Sequence, residues 1–224
     1  VFLLLCQPDF GTAVVIMTTA MAMIFLSGAR ISQFIVLFSL ILLAGTLLVV
    51  FEPYRMQRVF SFVSPWENPY ASGYQLTQSL IAIGRGNWLG VGLGNSVQKL
   101  FYLPEAHTDF VFAILAEELG LIGTVSVIGA FIGLFWASFR IGLQAVKKDF
   151  FFAGFLAWGI GLVIGLQAMI NMGVNMGVLP TKGLTLPFVS YGGTSLVVSV
   201  MLIALLLRVG TETSRRGAGA LRKA

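Results

Sequence analysis

The sequence has little charge, a single cysteine and a single histidine. Asp, Glu, Lys and Arg make up 10% of its 224 residues, whereas hydrophobic residues make up 57%. A soluble domain carries about 25% charged residues, so this composition excludes an ordinary soluble protein. One cysteine, Cys6, excludes an intrachain disulfide framework. No positively charged segment precedes the first apolar run, as it would in a signal peptide.

Long uncharged runs make up most of the chain. They cover residues 10–29, 31–51, 119–139, 150–181 and 183–207. A bilayer core of about 30 Å needs roughly 20 helical residues, and all five runs reach that length. Strands of a β-barrel alternate in polarity and last about ten residues, which these runs do not. The sequence therefore predicts an all-α polytopic membrane protein with about five full transmembrane helices.

The predicted organisation is a single membrane domain over residues 1–224. Residues 1–5 look like the end of a helix, and no initiator Met precedes them, so we expect a truncated helix and the C-terminal part of a longer protein. A long loop covers residues 52–109, and a basic tail covers residues 210–224. We expect helices near 10–27, 31–51, 108–139, 150–170 and 193–208, with a short helix near 75–83 inside the long loop.

The distribution of Lys and Arg predicts the topology. If each run crosses once, one side receives Arg30, Arg140, Lys147, Lys148, Arg208, Arg215, Arg216, Arg222 and Lys223. The other side receives Arg55, Arg58, Arg85, Lys99 and Lys182. Short cytoplasmic loops are rich in Lys and Arg, so the first side is predicted to be cytoplasmic. The long loop and residues 171–190 then lie outside the cytoplasm, and the C-terminus lies inside.

A polar cluster precedes the third run. Glu105, His107 and Asp109 lie within five positions, and Glu117 and Glu118 follow at the predicted membrane boundary. Asp109 lies eight residues before Glu117, about 12 Å along a continuous helix, and therefore near headgroup height. There an ionised carboxylate beside a histidine can accept a proton from a substrate hydroxyl.

The residues alone favour a simpler role for this cluster. Thr108 or Asp109 is predicted to cap the following helix, a role compatible with catalysis because a cap can orient a base. Glu117 and Glu118 are interpreted as structural residues that satisfy polar groups at the interface. A metal site made of Glu105, His107 and Asp109 is a further alternative, although the spacing matches no specific metal motif.

Other segments supply candidate substrate contacts. Lys182 lies between two apolar, proline-bounded stretches, where it either reaches lipid phosphate or binds a substrate pyrophosphate. Arg55 and Arg58 are three residues apart and can share a helix face toward phosphate, or anchor the chain at the membrane. Ser190 begins the segment 190–195 that opens the last helix, and this segment is interpreted first as structural. The glycine-rich stretch 84–95 resembles a phosphate loop but lacks the βαβ context, so tight turns are predicted there.

Six motifs resemble the SEDS family along essentially the whole chain and in the same order. They are QPDFGT at 7–12, GYQLTQS at 73–79, GNSVQKL at 94–100, YLPEAHTDF at 102–110, LPTKGLTLP at 179–187 and SYGGTS at 190–195. The wording around 98–110 is most similar to the cell-division branch of the family rather than the elongation branch. The resemblance implies a ten-helix fold, of which this chain supplies the end of the fifth helix and helices six to ten.

The resemblance also implies a function. Family members are peptidoglycan glycosyltransferases that polymerise lipid II for septal cell-wall synthesis, and the residue matching Asp109 is their catalytic candidate. We expect undecaprenyl diphosphate to be the leaving group, with its charge stabilised by Lys182, Arg55, Arg58 or a divalent cation such as Mg²⁺ or Mn²⁺. His107, Glu105 and Ser190 are further candidate substrate contacts. The implied location is the bacterial inner membrane at the division septum. The implied partners are a class B penicillin-binding transpeptidase and other division proteins, with no nucleic acid.

Two alternatives remain open at the level of the sequence. Membrane composition also fits a lipid II flippase or another transporter, which would place charged residues at mid-bilayer and would break its helices. The uncharged runs do not show the mid-span charge. The second alternative is a division scaffold that recruits a partner without catalysis.

Overall fold

The computed structural model describes residues 10–51, 56, 62–66, 73–100, 102–180 and 183–221. Within these ranges the chain is helical, with no strand. The elements are α1 (Phe10–Leu26), α2 (Ile31–Val50), α3 (Tyr74–Gly86), α4 (Val111–Val146), α5 (Phe151–Asn175) and α6 (Gly193–Leu221). The predicted all-α class is confirmed, as is the short helix inside the long loop.

Several described helices are long and apolar enough to cross a membrane. They are Val111–Val146, Phe151–Asn175 and Gly193–Arg215, and two shorter apolar helices cover Gly11–Leu26 and Ile31–Leu47. A polytopic membrane protein is therefore confirmed. The count of five spans, the domain limits and the sidedness of the loop and the tail stay predictions.

Three helices extend beyond their predicted ends. The helix α4 continues through Arg140 to Val146, and the guanidinium of Arg140 lies 4.7 Å from the ring centroid of Trp136, one turn earlier. The helix α5 continues five residues further, to Asn175, because its last turn packs against protein rather than forming an outer loop. The helix α6 continues to Leu221, into the predicted basic tail.

The pair α4 and α5 forms the centre of the fold. Small residues let the two backbones approach closely, as is typical of membrane helices. A Cβ atom at Gly161 would overlap the Ser138 hydroxyl, and one at Gly154 would lie 2.9 Å from the Gly142 carbonyl oxygen. The side chains of Phe112 and Ile164 are buried in the hydrophobic core that these two helices share. As a result, α5 contains buried positions along its whole length.

The helix α4 is interrupted at Gly120. This residue adopts φ 66° and ψ −162°, a conformation that is essentially restricted to glycine. The interruption frees backbone groups on both sides, and the loop 87–92 binds them. Four hydrogen bonds do this: Val91 N to Glu117 O at 3.0 Å, Gly92 N to Glu118 O at 3.1 Å, Leu121 N to Asn87 O at 2.9 Å and Ile122 N to Trp88 O at 3.3 Å. The freed groups are thus satisfied inside the protein, as a membrane requires.

Candidate active site

A tight turn presents Asp109 just before α4. Glu105 has a φ of 56°, and its carbonyl oxygen accepts hydrogen bonds from the backbone N–H groups of Thr108 and Phe110, both at 3.2 Å. The Thr108 hydroxyl also donates to the Glu105 carboxylate at 2.6 Å. The helix begins at Val111, and Phe110 occupies the cap position without a side-chain hydrogen bond. The structure therefore places Phe110, and not Thr108 or Asp109 as predicted, at the cap position.

Two buried asparagines of α5 hold the backbone of this turn. The side-chain amides of Asn171 and Asn175 both donate to the Asp109 carbonyl oxygen, at 2.8 and 3.0 Å. The Asn175 side-chain oxygen accepts from the backbone N–H of Ala113 at 3.1 Å. A side chain from another helix thus satisfies an N–H group in the first turn of α4.

The loop that follows residue 182 contacts the same turn. A Cβ atom at Gly183 would lie 3.0 Å from an Asp109 carboxylate oxygen. The backbone of Gly183, which has a hydrogen atom in place of that Cβ, therefore lies close to the carboxylate. The Asn171 amide donates to the Leu184 carbonyl oxygen as well as to that of Asp109. One amide thereby joins the two loops that contain the predicted site residues.

Ser190 provides a second connection between the loops. Its hydroxyl donates to the Thr108 carbonyl oxygen at 2.6 Å and accepts from the Leu186 N–H at 2.7 Å. The backbone N–H of Tyr191 donates to the His107 carbonyl oxygen at 2.8 Å. The structural interpretation of Ser190 accounts for both contacts of its hydroxyl, and a role in substrate binding stays a prediction.

The other predicted site residues fall into two groups. Glu105 and His107 have exposed side chains beside the Asp109 turn. Lys182, Arg55 and Arg58 lie outside the described residues. Among the predicted site residues that the structure describes, Asp109 combines a half-buried side chain with a close approach to the second loop.

An open cavity of about 660 Å³ borders this turn. It is lined by His107, Val111, Leu196 and residues 188–193. The volume falls within the range of about 300–1,000 Å³ that small-molecule pockets occupy. Two of its lining residues, His107 and Val111, are each two positions from Asp109 in the sequence, so the cavity offers space for a ligand group beside the turn.

The described side chains do not form a metal site. Among the residues that the structure describes, no three His, Cys, Asp or Glu side chains gather closely enough to hold a metal ion. Glu105, His107 and Asp109 therefore do not form such a set. A divalent cation bound to a substrate diphosphate is untested and stays a prediction.

The two glutamates after the turn are structural, which supports their interpretation from the sequence. Glu117 is fully buried, and its carboxylate accepts hydrogen bonds from the Ser96 hydroxyl and from the backbone N–H groups of residues 97 and 98. Arg85 lies 3.6 Å from the same carboxylate. Glu118 pairs with Lys99 at 2.7 Å. Both glutamates thus hold Arg85 and residues 96–99, at the two ends of the glycine-rich stretch, against α4. Within the stretch, Gly90, Gly92 and Gly94 have positive φ angles and form the predicted tight turns.

Comparison with known proteins identifies the family. A family model for cell cycle proteins of the FtsW, RodA and SpoVE type matches residues 1–215. The chain belongs to the FtsW/RodA/SpoVE family. This finding confirms the resemblance to the SEDS family that the six motifs indicated.

Similar FtsW/RodA/SpoVE proteins occur in several bacteria. A probable peptidoglycan glycosyltransferase FtsW of Alkalilimnicola ehrlichii is 60% identical over 210 residues, covering 94% of this chain and 52% of the relative. The protein with the same name in Halorhodospira halophila is 56% identical, and the match covers 96% of this chain and 54% of that protein. The one in Coxiella burnetii is 57% identical, and the match covers 94% of this chain and 57% of that protein. The chain thus spans about half the length of the curated relatives it matches. Their shared name agrees with the similarity to the cell-division branch.

A chain in a solved structure shares the fold of this chain. That structure describes how a peptidoglycan synthase complex coordinates polymerization and crosslinking. The matched chain is 30% identical with a TM-score of 0.72, and the match covers 95% of this chain and 59% of that one. The helical arrangement described above is therefore an arrangement seen in a peptidoglycan synthase complex.

Sequence reasoning missed the two asparagines that hold Asp109. Asn171 and Asn175 were placed in an outer loop because the helix before them was predicted to end near residue 170. A signal was available, since the two amides are four residues apart and share one face of a helix if the helix continues. A buried amide in an apolar helix needs a partner, and here the partner is the Asp109 turn.

Proposed function

We propose that this chain contains the catalytic part of a peptidoglycan glycosyltransferase that polymerises lipid II into glycan strands. Asp109 acts as the general base. The family relatives named probable peptidoglycan glycosyltransferase support the reaction class. The observation that supports the residue is the half-buried Asp109 carboxylate, which lies against Gly183 at the meeting point of two loops.

The geometry suits a base that must be both fixed and reachable. Hydrogen bonds from two buried amides hold the Asp109 carbonyl oxygen, so the turn has little freedom to move. The neighbouring cavity, lined by His107 and Val111 on either side of Asp109 in the sequence, provides space for a substrate group beside the turn. A fixed base avoids reorganisation at the moment of reaction and contributes about 10²- to 10⁴-fold to the rate.

The proposed step is a single displacement. The Asp109 carboxylate takes the proton from the C4 hydroxyl of the acceptor sugar. That oxygen attacks the anomeric carbon of the donor, a new C–O bond forms, and the bond between that carbon and the diphosphate oxygen breaks with its electron pair. Undecaprenyl diphosphate leaves, and the configuration at the anomeric carbon inverts.

The leaving diphosphate needs positive charge. Lys182, the residue before Gly183 in the sequence, is the first candidate because Gly183 lies beside Asp109. Arg55 and Arg58 are the other candidates, and a divalent cation bound to the diphosphate would supply the same charge. Glu105, His107 and Ser190 are proposed as secondary substrate contacts.

The proposed setting follows from the family. The protein acts in the bacterial inner membrane during cell division, with its C-terminus in the cytoplasm. The solved relative belongs to a complex that coordinates polymerization and crosslinking. We therefore propose a class B penicillin-binding transpeptidase as the partner, together with other division proteins.

A transporter fits the structure less well. A broken transporter helix offers its freed backbone groups to the cargo. At Gly120 the freed groups are hydrogen-bonded to the loop 87–92, and the nearby Glu117 carboxylate is fully buried. The break therefore serves packing within the chain.

An assay of purified full-length protein in detergent separates the three functions. A glycosyltransferase converts labelled lipid II into polymer without a sealed membrane, whereas a flippase moves lipid II only across vesicles and a scaffold does neither. Asp109→Ala should abolish the polymer while the protein stays monodisperse. Polymer formation at the wild-type rate by Asp109→Ala would show that another residue is the base.

A further inference from the structure

We propose that Asn171 and Asn175 are positioning residues that set the place of the Asp109 carboxylate relative to the loop after residue 182. This inference rests on the proposed function of Asp109. Neither asparagine acts on a substrate: both act through the backbone of the turn that presents the base. The reasons are their burial, the direction of their hydrogen bonds and the rigidity of the helix that holds them.

Both amides are buried inside an apolar helix. Asn171 is 2% exposed and Asn175 is fully buried. Polar groups in such a place are unfavourable unless they are hydrogen-bonded, and in a membrane helix they mark function by default. Their bonds are therefore the reason for their presence, and those bonds converge on one backbone atom, the Asp109 carbonyl oxygen.

Asn175 fixes the direction in which the turn meets α4. Its amide nitrogen donates to the Asp109 carbonyl at 3.0 Å and to the Asn171 carbonyl at 2.9 Å. Its oxygen accepts from the Ala113 N–H at 3.1 Å. A single planar group thus contacts the residues on both sides of Phe110, so the entry into the helix and the position of Asp109 are set together.

Asn171 fixes the distance between the two loops. Its amide nitrogen donates to the carbonyl oxygens of Asp109 and Leu184. Gly183, between Leu184 and the predicted phosphate-binding Lys182, lies against the Asp109 carboxylate. The amide therefore holds the proposed base and the loop of the proposed cation at one separation.

The helix that holds both asparagines is itself held rigidly. Gly161 and Gly154 of α5 pack without space against Ser138 and Gly142 of α4. The asparagines therefore connect the Asp109 turn to the close-packed contact between α4 and α5, which does not move easily. A shift of about 1 Å in a catalytic group can reduce the rate about 100-fold, so the loss of either amide should act on the chemical step.

Gln167 is a matched control on the same face of α5. It lies one turn before Asn171, and its amide donates to the backbone carbonyl of Thr185 at 2.9 Å. It therefore contacts the second loop as the asparagines do, but it makes no hydrogen bond to Asp109 among those of the described residues. Gln167→Leu removes a comparable amide without touching the turn that presents the base.

The test uses purified full-length protein and labelled lipid II. We measure kcat, KM and the thermal unfolding temperature for Asn171→Leu, Asn175→Leu, Gln167→Leu and Asp109→Ala. The expected result is a fall in kcat of about 10- to 100-fold for each asparagine variant, with KM within about threefold of wild type. Gln167→Leu should keep kcat within about twofold.

The other possible results contradict either the positioning role of the asparagines or the role of Asp109 as the base. Wild-type kcat in both asparagine variants, with inactive Asp109→Ala, would refute positioning and leave the proposed base intact. Equal losses in Gln167→Leu would show that loop packing, not the placement of Asp109, is responsible. Full activity of Asp109→Ala would refute the proposed base and this inference with it. If Asn175→Leu does not fold, Asn171→Leu decides, because it leaves the Ala113 bond in place.

Discussion

Replacing Gly120 with alanine should detach the loop 87–92 from α4. The residue has φ 66° and ψ −162°, where a side chain is strained whatever space surrounds it. Space is also lacking, because a Cβ atom would overlap the Gly90 nitrogen and would lie 2.7 Å from the Trp88 carbonyl oxygen. Both are backbone atoms and cannot rotate away. The variant must therefore move the loop, and with it the four hydrogen bonds that fill the break.

The expected loss of stability follows from these contacts. Each hydrogen bond contributes about 0.5–1.5 kcal/mol net, so the four contribute about 2–6 kcal/mol. The unfavourable backbone conformation adds about 1–3 kcal/mol. Even the lower sum, about 3 kcal/mol, corresponds to a decrease of about 6–12 °C in unfolding temperature for a chain of this size.

Two assays detect the change. Thermal unfolding in detergent reports the stability, and limited trypsin digestion reports the loop, because Lys99 is paired with Glu118 at 2.7 Å and should be cut faster once the loop leaves. Gly129→Ala is the matched control: it lies in the same helix, and a Cβ atom there meets nothing within 4 Å. Its stability should equal or slightly exceed that of wild type. A Gly120→Ala variant with wild-type unfolding temperature and wild-type trypsin resistance would show that the loop 87–92 does not depend on glycine at position 120.

Two further substitutions test the junction of the loops. Ser190→Ala should lower the unfolding free energy by about 1–3 kcal/mol, measured by thermal unfolding, because the Leu186 N–H and the Thr108 carbonyl oxygen both lose a partner. Gly183→Ala should lower the lipid II polymerisation rate about tenfold or more, because the added methyl group would lie 3.0 Å from the Asp109 carboxylate and displace it.

Each substitution has a control, which is the same change of residue at a position with few contacts. Ser126→Ala removes a hydroxyl that bonds only within its own helix on an exposed face, and should change the unfolding free energy by less than about 0.5 kcal/mol. Gly133→Ala adds a methyl group that meets nothing within 4 Å, at a position away from the cavity, and should keep the wild-type rate. Losses of equal size in a control and its test variant would contradict the assigned contacts.

The sequence was sufficient for the features that depend on local composition. The uncharged runs predicted membrane helices, and the glycine-rich stretch at 84–95 predicted tight turns, because polarity and backbone freedom are properties of single residues. The cluster around Asp109 was also visible, since several titratable residues so close together are rare in this chain. The motifs then led to the family that the comparison confirmed.

The features that depend on long-range contacts were missed. Helix α5 was predicted to end before Asn171, but hydrogen bonds to a turn more than 60 residues away make its last turn favourable. The cap of α4 was assigned to the residues beside it, although Asn175 of another helix supplies the acceptor. The interruption at Gly120 was invisible for the same reason, because the loop that fills it lies about 30 residues earlier in the chain.

The most direct test of the proposed base compares Asp109→Asn with Asp149→Asn in full-length protein. Asparagine keeps the size of the side chain but cannot accept a proton as a base, and Asp149 is an exposed aspartate just beyond the other end of α4. We measure kcat for lipid II polymerisation together with lipid II binding. If Asp109 is the base, Asp109→Asn should lower kcat about 10²-fold or more while binding is retained, and Asp149→Asn should keep the wild-type kcat. Equal kcat values in the two variants would show that Asp109 is not the base.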